Sequence, residues 1–313
     1  MLDPDAQLAA QALTRTLPSP IHILGVDKAR ALLDTPPGRT PLTIIHSVDD
    51  ITIASDEHDI AARVYRPSDG TGLPALLYIH GGGWSIGGLD GVDELCRTIA
   101  VAAGCVVVSV GYRLAPENPF PAGLEDCVAA LEWTARCAQD LGIDPTRIAI
   151  GGDSAGANLA IAVSVQALAT GGRLPSFQLL AYPATDFESN RASWTEHADA
   201  PLLTAEDARW FMSLYIRDED DRQNPLVSPE RATSLSGLPP AHIITADVDV
   251  LRDDGEAFAE RLRAEGVSAT STRYPGVFHG FFTEIGAYER TAQAVDDAAA
   301  HLRRAFAASA DRS

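Results

Sequence analysis

The stretch Arg147-Ile148-Ala149-Ile150-Gly151-Gly152-Asp153-Ser154-Ala155-Gly156-Ala157-Asn158 decides how the chain reads. A short apolar run stops at two glycines, and an alanine-rich stretch follows. The first reads as a buried strand and the second as a helix. Between them Gly152–Gly156 has the form G-x-S-x-G. At a sharp strand-to-helix turn a serine is held in a strained conformation with its Oγ projecting, while flanking glycines let neighbouring backbone come close. The helix N-terminus favours negative charge developing there. A glycine-rich turn with a capping serine would use the same residues, so the rest of the chain has to separate the two.

Outward from that point the pattern repeats. Ala75–Ile79, Val106–Val110, Phe177–Ala181 and His242–Ala246 are short apolar runs bounded by turn residues, as in strands buried on both faces. Amphipathic stretches lie between them at Gly91–Ala103, Gly123–Leu141, Asn158–Thr170 and Gly255–Gly266. This alternation predicts an α/β fold, a mostly parallel central sheet flanked by helices. Thr43–Ser47, Ile51–Ser55 and Ile60–Tyr65 read as strands before it, Ser268–Tyr274 as the last strand at a sheet edge, and Ala287–Ala308 as a closing helix. Two segments break the rhythm. Residues 1–42 look helical, and residues 184–222 form an insertion rich in aromatics, including Phe187, Trp194, Trp210, Phe211 and Tyr215. The core is thus expected in two parts, 43–183 and 223–313.

The 313 residues are 46% hydrophobic and 21% charged, enough for a large core. A formal charge of −19 repels phosphate backbones and anionic headgroups, so nucleic acid and stable membrane insertion are not expected. Cys96, Cys105, Cys127 and Cys137 form no metal-type pattern and read as small buried thiols. Met1-Leu2-Asp3-Pro4-Asp5 lacks the basic start of a signal peptide, and no stretch is long enough to span a bilayer. The expected location is cytoplasmic.

His80-Gly81-Gly82-Gly83-Trp84 directly follows the run Ala75–Ile79. Acyl transfer places charge on a carbonyl oxygen, and glycines let backbone N–H groups reach it. A phosphate loop is disfavoured, because neither G-x-x-x-x-G-K-[ST] nor G-x-G-x-x-G occurs here. A serine nucleophile needs a base. Of the later histidines, His197 lies in the insertion, His242 opens an apolar strand and His301 sits at a solvated position in the last helix. His279 sits in Gly276-Val277-Phe278-His279-Gly280-Phe281, a turn after the last strand, where such folds build sites. The orienting carboxylate belongs between Ser154 and His279. Asp253 and Asp254 read as first-turn helix carboxylates, which leaves Asp247 and Asp249 unresolved.

Taken together, the motifs resemble the hormone-sensitive-lipase-like family of α/β-hydrolases and its bacterial carboxylesterases. The resemblance covers about Ile60 to Leu302. It rests on His80–Trp84, Tyr112-Arg113-Leu114-Ala115-Pro116-Glu117, Gly152–Gly156, Asn224-Pro225, Leu251-Arg252-Asp253 and His279-Gly280-Phe281. It implies Asp249 rather than Asp247 as the acid, with Val250 where the family usually has proline. It also implies Gly82, Gly83 and Ala155 as oxyanion donors, His80 with Gly81 as support for the glycine loop, and a helical cap made from residues 1–42 and 184–222. Tyr112–Glu117 reads as a structural turn under the site, and Asp153 receives no chemistry.

The expected reaction is hydrolysis of short- to medium-chain acyl esters through Ser154, His279 and Asp249, needing no metal or cofactor. An amidase or formamidase could use the same triad, and a ligand-binding relative could keep the fold without turnover. Trp84, Trp210, Phe211 and Tyr215 are the expected pocket lining. The partner is a small-molecule ester, with a homodimer through the last sheet edge as a further expectation.

Overall fold

The computed structural model describes residues 1–17, 19–34, 42–54 and 58–310. Eight strands form one sheet: β1 Ser47–Ala54, β2 Asp59–Arg66, β3 Leu73–Ile79, β4 Val106–Gly111, β5 Ile143–Asp153, β6 Gln178–Ala181, β7 Ala241–Val248 and β8 Ala269–Phe278. Their spatial order is β1-β2-β4-β3-β5-β6-β7-β8. β1 and β2 run antiparallel to their neighbours, and every pair from β4 to β8 is parallel. The parallel strands therefore end on one side of the molecule. β3, β4 and β6 are almost wholly buried, which is why their sequences are continuous apolar runs and not alternating ones.

Ten α-helices accompany the sheet among the described residues. α1 Pro4–Thr16, α2 Ile21–Leu24 and α3 Val26–Leu33 precede it. α4 Asp93–Ala103, α5 Ala122–Arg136, α6 Ala155–Thr170, α9 Arg252–Ala264 and α10 Glu289–Ala310 alternate with the strands or close the chain. α7 Ser193–Glu196 and α8 Ala205–Tyr215 occupy the insertion. α8 starts with a capping box: the Thr204 hydroxyl accepts from Asp207 N–H, and the Asp207 carboxylate accepts from Thr204 N–H. Two apolar clusters pack the sheet. One joins α5, α6 and α9 to the insertion, and the other joins α4 and α10 to the opposite sheet face. α6 is buried on nearly every side, which explains why its sequence is apolar all round.

Two expectations need correction. Thr43–Ser47 is not a strand of its own; only Ser47 joins a ladder, as the first residue of β1. Leu42 N–H and Thr43 N–H instead donate to the Glu94 carboxylate on α4, so their hydrogen-bonding capacity is used there and not in the sheet. His301 is not simply solvated. It stacks on the buried His242, with ring centroids 3.7 Å apart. Of the expected strand Ile51–Ser55, Ser55 lies outside the described residues, as do residues 35–41 of the N-terminal helical segment. Cys96, Cys105 and Cys127 are buried and Cys137 is half-buried.

Candidate active site

Ser154 stands between β5 and α6 with φ 53° and ψ −120°. A side chain rarely adopts that conformation, and here the surroundings impose it. Ser154 N–H donates to the Ala181 carbonyl of β6 at 2.8 Å, and its carbonyl accepts from Asn158 N–H at 3.1 Å. A Cβ at Gly156 would lie 2.0 Å from the Ile79 carbonyl oxygen, so only glycine lets α6 start this close to β3.

His279 directly follows β8, and Asp249 directly follows β7. His279 Nε2 is 2.9 Å from Ser154 Oγ, and His279 Nδ1 is 2.8 Å from Asp249 Oδ2. The carboxylate can only accept, so Nδ1 carries the hydrogen and Nε2 is left to accept from the serine hydroxyl. Asp249 is fully buried, and its other oxygen accepts from Leu251 N–H at 2.9 Å. The structure thus brings Ser154, His279 and Asp249 together. Asp247, the other carboxylate left open by the sequence, belongs to β7 itself and its carbonyl takes a long bond from Arg252. Tyr182, with φ 36°, sets its ring 4.6 Å from the His279 ring.

The glycine loop follows β3. Gly82 and Gly83 have φ 113° and 54°, and the Gly82 carbonyl accepts from Ser85 and Ile86 N–H groups, which fold the loop on itself. His80 Nδ1 donates to the Gly81 carbonyl at 2.7 Å, and its ring stacks on Tyr112 at 4.4 Å. Burial pushes the His80 imidazole down to about 4, so it stays neutral at ordinary pH. Tyr112 Oη donates back to the His80 carbonyl, and Ala115 N–H donates to the Trp84 carbonyl. The run Tyr112–Glu117 is therefore a strut beneath the loop.

Asp153 does more than its place in the motif indicated. Its Oδ1 accepts from Tyr78 Oη at 2.9 Å and from Gly81 N–H at 3.1 Å, tying the elbow to the glycine loop. Burial raises its carboxyl to about 6, against the hydrogen bonds that lower it. Arg30 on α3 was also not recognisable as a site residue. It donates to the Ser85 and Ala115 carbonyls and to Glu117, bridging the N-terminal helices to the strut. An arginine in a polar helix face gives no sequence signal for such a role.

A cavity of about 420 Å³ opens over Ser154, within the range of small-molecule pockets. Ser154, His279, Gly82 and Gly83 line it, with Leu13 of α1, Leu33 of α3, and Leu203 and Phe211 from the insertion. Of the four aromatics expected to line it, Trp84 and Phe211 do so. Tyr215 and Trp210 are not on its wall. Tyr215 is buried behind Trp84, with ring centroids 4.8 Å apart, and Trp210 packs on Phe211 at 4.9 Å. Trp210 is turned off the cavity-facing side of α8, whereas Tyr215 shares the side of Phe211 but lies one turn further along, at the end of the helix. Phe211 instead lies against the glycine loop: a Cβ at Gly83 would come within 2.3 Å of its ring.

Among the described residues no cluster of three or more His, Cys, Asp or Glu could hold a metal ion, and no helix is long and apolar enough to cross a membrane. Residues 76–283 match a family model described as the alpha/beta hydrolase fold. The carboxylesterase NlhH of Mycobacterium tuberculosis (strain ATCC 25618 / H37Rv) is 42% identical over 290 residues, which cover 90% of each chain. The ethyl acetate hydrolase of Pseudomonas putida is 37% identical over 274 residues, 84% of this chain and 85% of its own. A solved structure of the hyperthermophilic esterase from Pyrobaculum calidifontis superposes with a TM-score of 0.89 at 38% identity, over 97% of this chain and 98% of that one. The chain belongs to the hormone-sensitive-lipase-like family of α/β-hydrolases.

Proposed function

We infer that this chain is a serine hydrolase of carboxylic esters, acting on short- to medium-chain acyl groups. The observation that carries the reading is the unbroken path of hydrogen bonds from Ser154 Oγ through His279 to Asp249, beside a glycine loop on the same cavity wall. His279 takes the Ser154 proton as Oγ attacks the ester carbonyl. The backbone N–H groups of Gly82, Gly83 and Ala155 receive the oxyanion. The tetrahedral intermediate collapses, His279 protonates the departing alcohol, and an acyl-enzyme on Ser154 remains. Water, deprotonated by His279, then releases the acid. Asp249 fixes the tautomer and stabilises the charged imidazole.

The esterase names of the relatives support an ester rather than an amide substrate. The bound on chain length rests on the cavity, which α1, α3 and the insertion close with apolar side chains. In this reading residues 1–42 and 184–222 act as the cap, and the body of the enzyme is formed by 43–183 and 223–313. The acidic charge fits a cytoplasmic enzyme, and β8 at the sheet edge offers a surface for a homodimer.

A chain-length series of p-nitrophenyl esters tests this reading. Hydrolysis should peak at short or medium acyl chains and fall by at least about a thousandfold in Ser154→Ala. Faster turnover of emulsified long-chain triglyceride, or substantial activity in Ser154→Ala, would overturn it.

A further inference from the structure

The turn that carries Asp249 belongs to neither a strand nor a helix, since β7 ends at Val248 and α9 begins at Arg252. Inside it, Leu251 N–H donates to Asp249 Oδ1, and Arg252 N–H donates to the Asp249 carbonyl at 3.3 Å. Val250, at the centre, leaves φ free where a proline would fix it.

The remaining grip comes from the insertion, 57 residues earlier in the chain. Ser193, the first residue of α7, is fully buried. Its hydroxyl donates to the Val250 carbonyl at 2.7 Å and accepts from Asp253 N–H at 3.3 Å. Its own N–H donates to Asp253 Oδ2 at 2.8 Å. The neighbours of Ser193 extend the clasp. Trp194 Nε1 donates to Asp254 Oδ2 at 3.0 Å, and Arg252 reaches back to Glu196 and to His197 Nε2, each at 2.8 Å. A wholly apolar contact would have closed a lid as well. The directed bonds of Ser193 fall on Val250 inside the turn and on Asp253 just beyond it.

We propose that Ser193 is a positioning residue for Asp249: its hydroxyl holds the turn in the shape that keeps the carboxylate on His279 Nδ1. The inference rests on the triad reading above. It gives the insertion a part in catalysis that is separate from closing the cavity. Hydrogen bonds weaken steeply with misalignment, and small displacements in a catalytic constellation cost large rate factors.

The experiment compares Ser193→Ala, Asp249→Asn and the double variant on p-nitrophenyl butyrate, with kcat expressed per site titrated by a fluorophosphonate. Ser193→Ala should lower kcat roughly 10- to 100-fold and leave KM within about twofold. In the Asp249→Asn background the same substitution should cost less than about twofold, since the group it acts through is gone. An equal cost in both backgrounds, or a loss confined to KM, would overturn the proposal. Should the alanine variant prove too unstable to titrate, Ser193→Gly removes the same hydroxyl and is read the same way. Near-wild-type activity in Asp249→Asn would sink the triad reading itself. An inactive Asp249→Asn beside an unaffected Ser193→Ala would sink only the role of Ser193.

Discussion

Ser154, Asp249 and His279 each stand at the first position after a strand, whereas Leu13, Leu33, Leu203 and Phe211 reach the same cavity from helices and loops outside the sheet. The first set is polar and held by directed hydrogen bonds, with Asp249 and His279 buried and Ser154 half-buried. The second is apolar and held by packing. Directed bonds fix atoms to tenths of an ångström, which proton transfer requires. Apolar packing fixes volume and shape, which is sufficient to admit or exclude an acyl chain. On the proposed function one side of the cavity carries the chemistry and the other the selectivity. Contacts that cross between them include Phe211 against Gly83 and Ser193 on the turn of Asp249.

The largest test of this division is on the polar side. Asp249→Asn should lower kcat by about 10⁴, the cost of a wrong tautomer in a serine-protease triad, while Asp247→Asn should change it less than about threefold. Steady-state kinetics on a single short ester checks both. The reverse order would put the wrong carboxylate beside His279.

A change on the apolar side should act on the substrate profile. Phe211→Leu removes ring atoms from the cavity wall. The ratio of kcat/KM for an octanoate over an acetate ester should rise by about tenfold. A uniform loss across the series would mean that Phe211 supports the glycine loop and not the acyl boundary.

The polar side was legible in the sequence because the chemistry needs particular residues at particular turns. Gly152–Gly156, His80–Gly83 and the turn of His279 each announce a backbone that only glycine or a strand end permits. The ambiguity between Asp247 and Asp249 was real, since both follow the same apolar run. β7 runs to Val248 and carries Asp249 past its end, which sets that carboxylate beside His279. The apolar side was hardly legible. Trp210, Phe211 and Tyr215 are equally aromatic, and which of them faces the cavity depends on how α8 is rotated against the core and on how far along it each residue lies. That placement is set by contacts with Trp84 and Phe187, 131 and 28 residues away from Tyr215 by their numbering. Asp254 shows the same limit. The sequence placed it in the first turn of a helix, where it is, yet it is fully buried and accepts from Ser189, Arg191 and Trp194 of the insertion. Burial raises its carboxyl to about 7.

The smallest expected effect lies away from the cavity. His242 is buried between Thr270 of β8 and His301 of α10, and burial with the nearby Arg304 and His301 lowers it to about 3. Unfolded, it would take up a proton near its ordinary ~6.5. Its contribution to stability is thus present above ~6.5 and lost as the pH falls from there towards about 3. A single group titrating in this way gives a limiting slope of about 1.4 kcal/mol per pH unit. His242→Phe should flatten the fall in unfolding free energy between pH 6 and 4.5 by up to about that amount, as read by urea denaturation at several pH values. An unchanged slope would show that other groups set the acid stability.

Covalent labelling is the decisive test of Ser154 as the proposed nucleophile. A fluorophosphonate should react once per chain, abolish hydrolysis of p-nitrophenyl butyrate in step with labelling, and leave its mass on the peptide carrying Ser154. Full labelling with activity retained, or an adduct on any other residue, would contradict it.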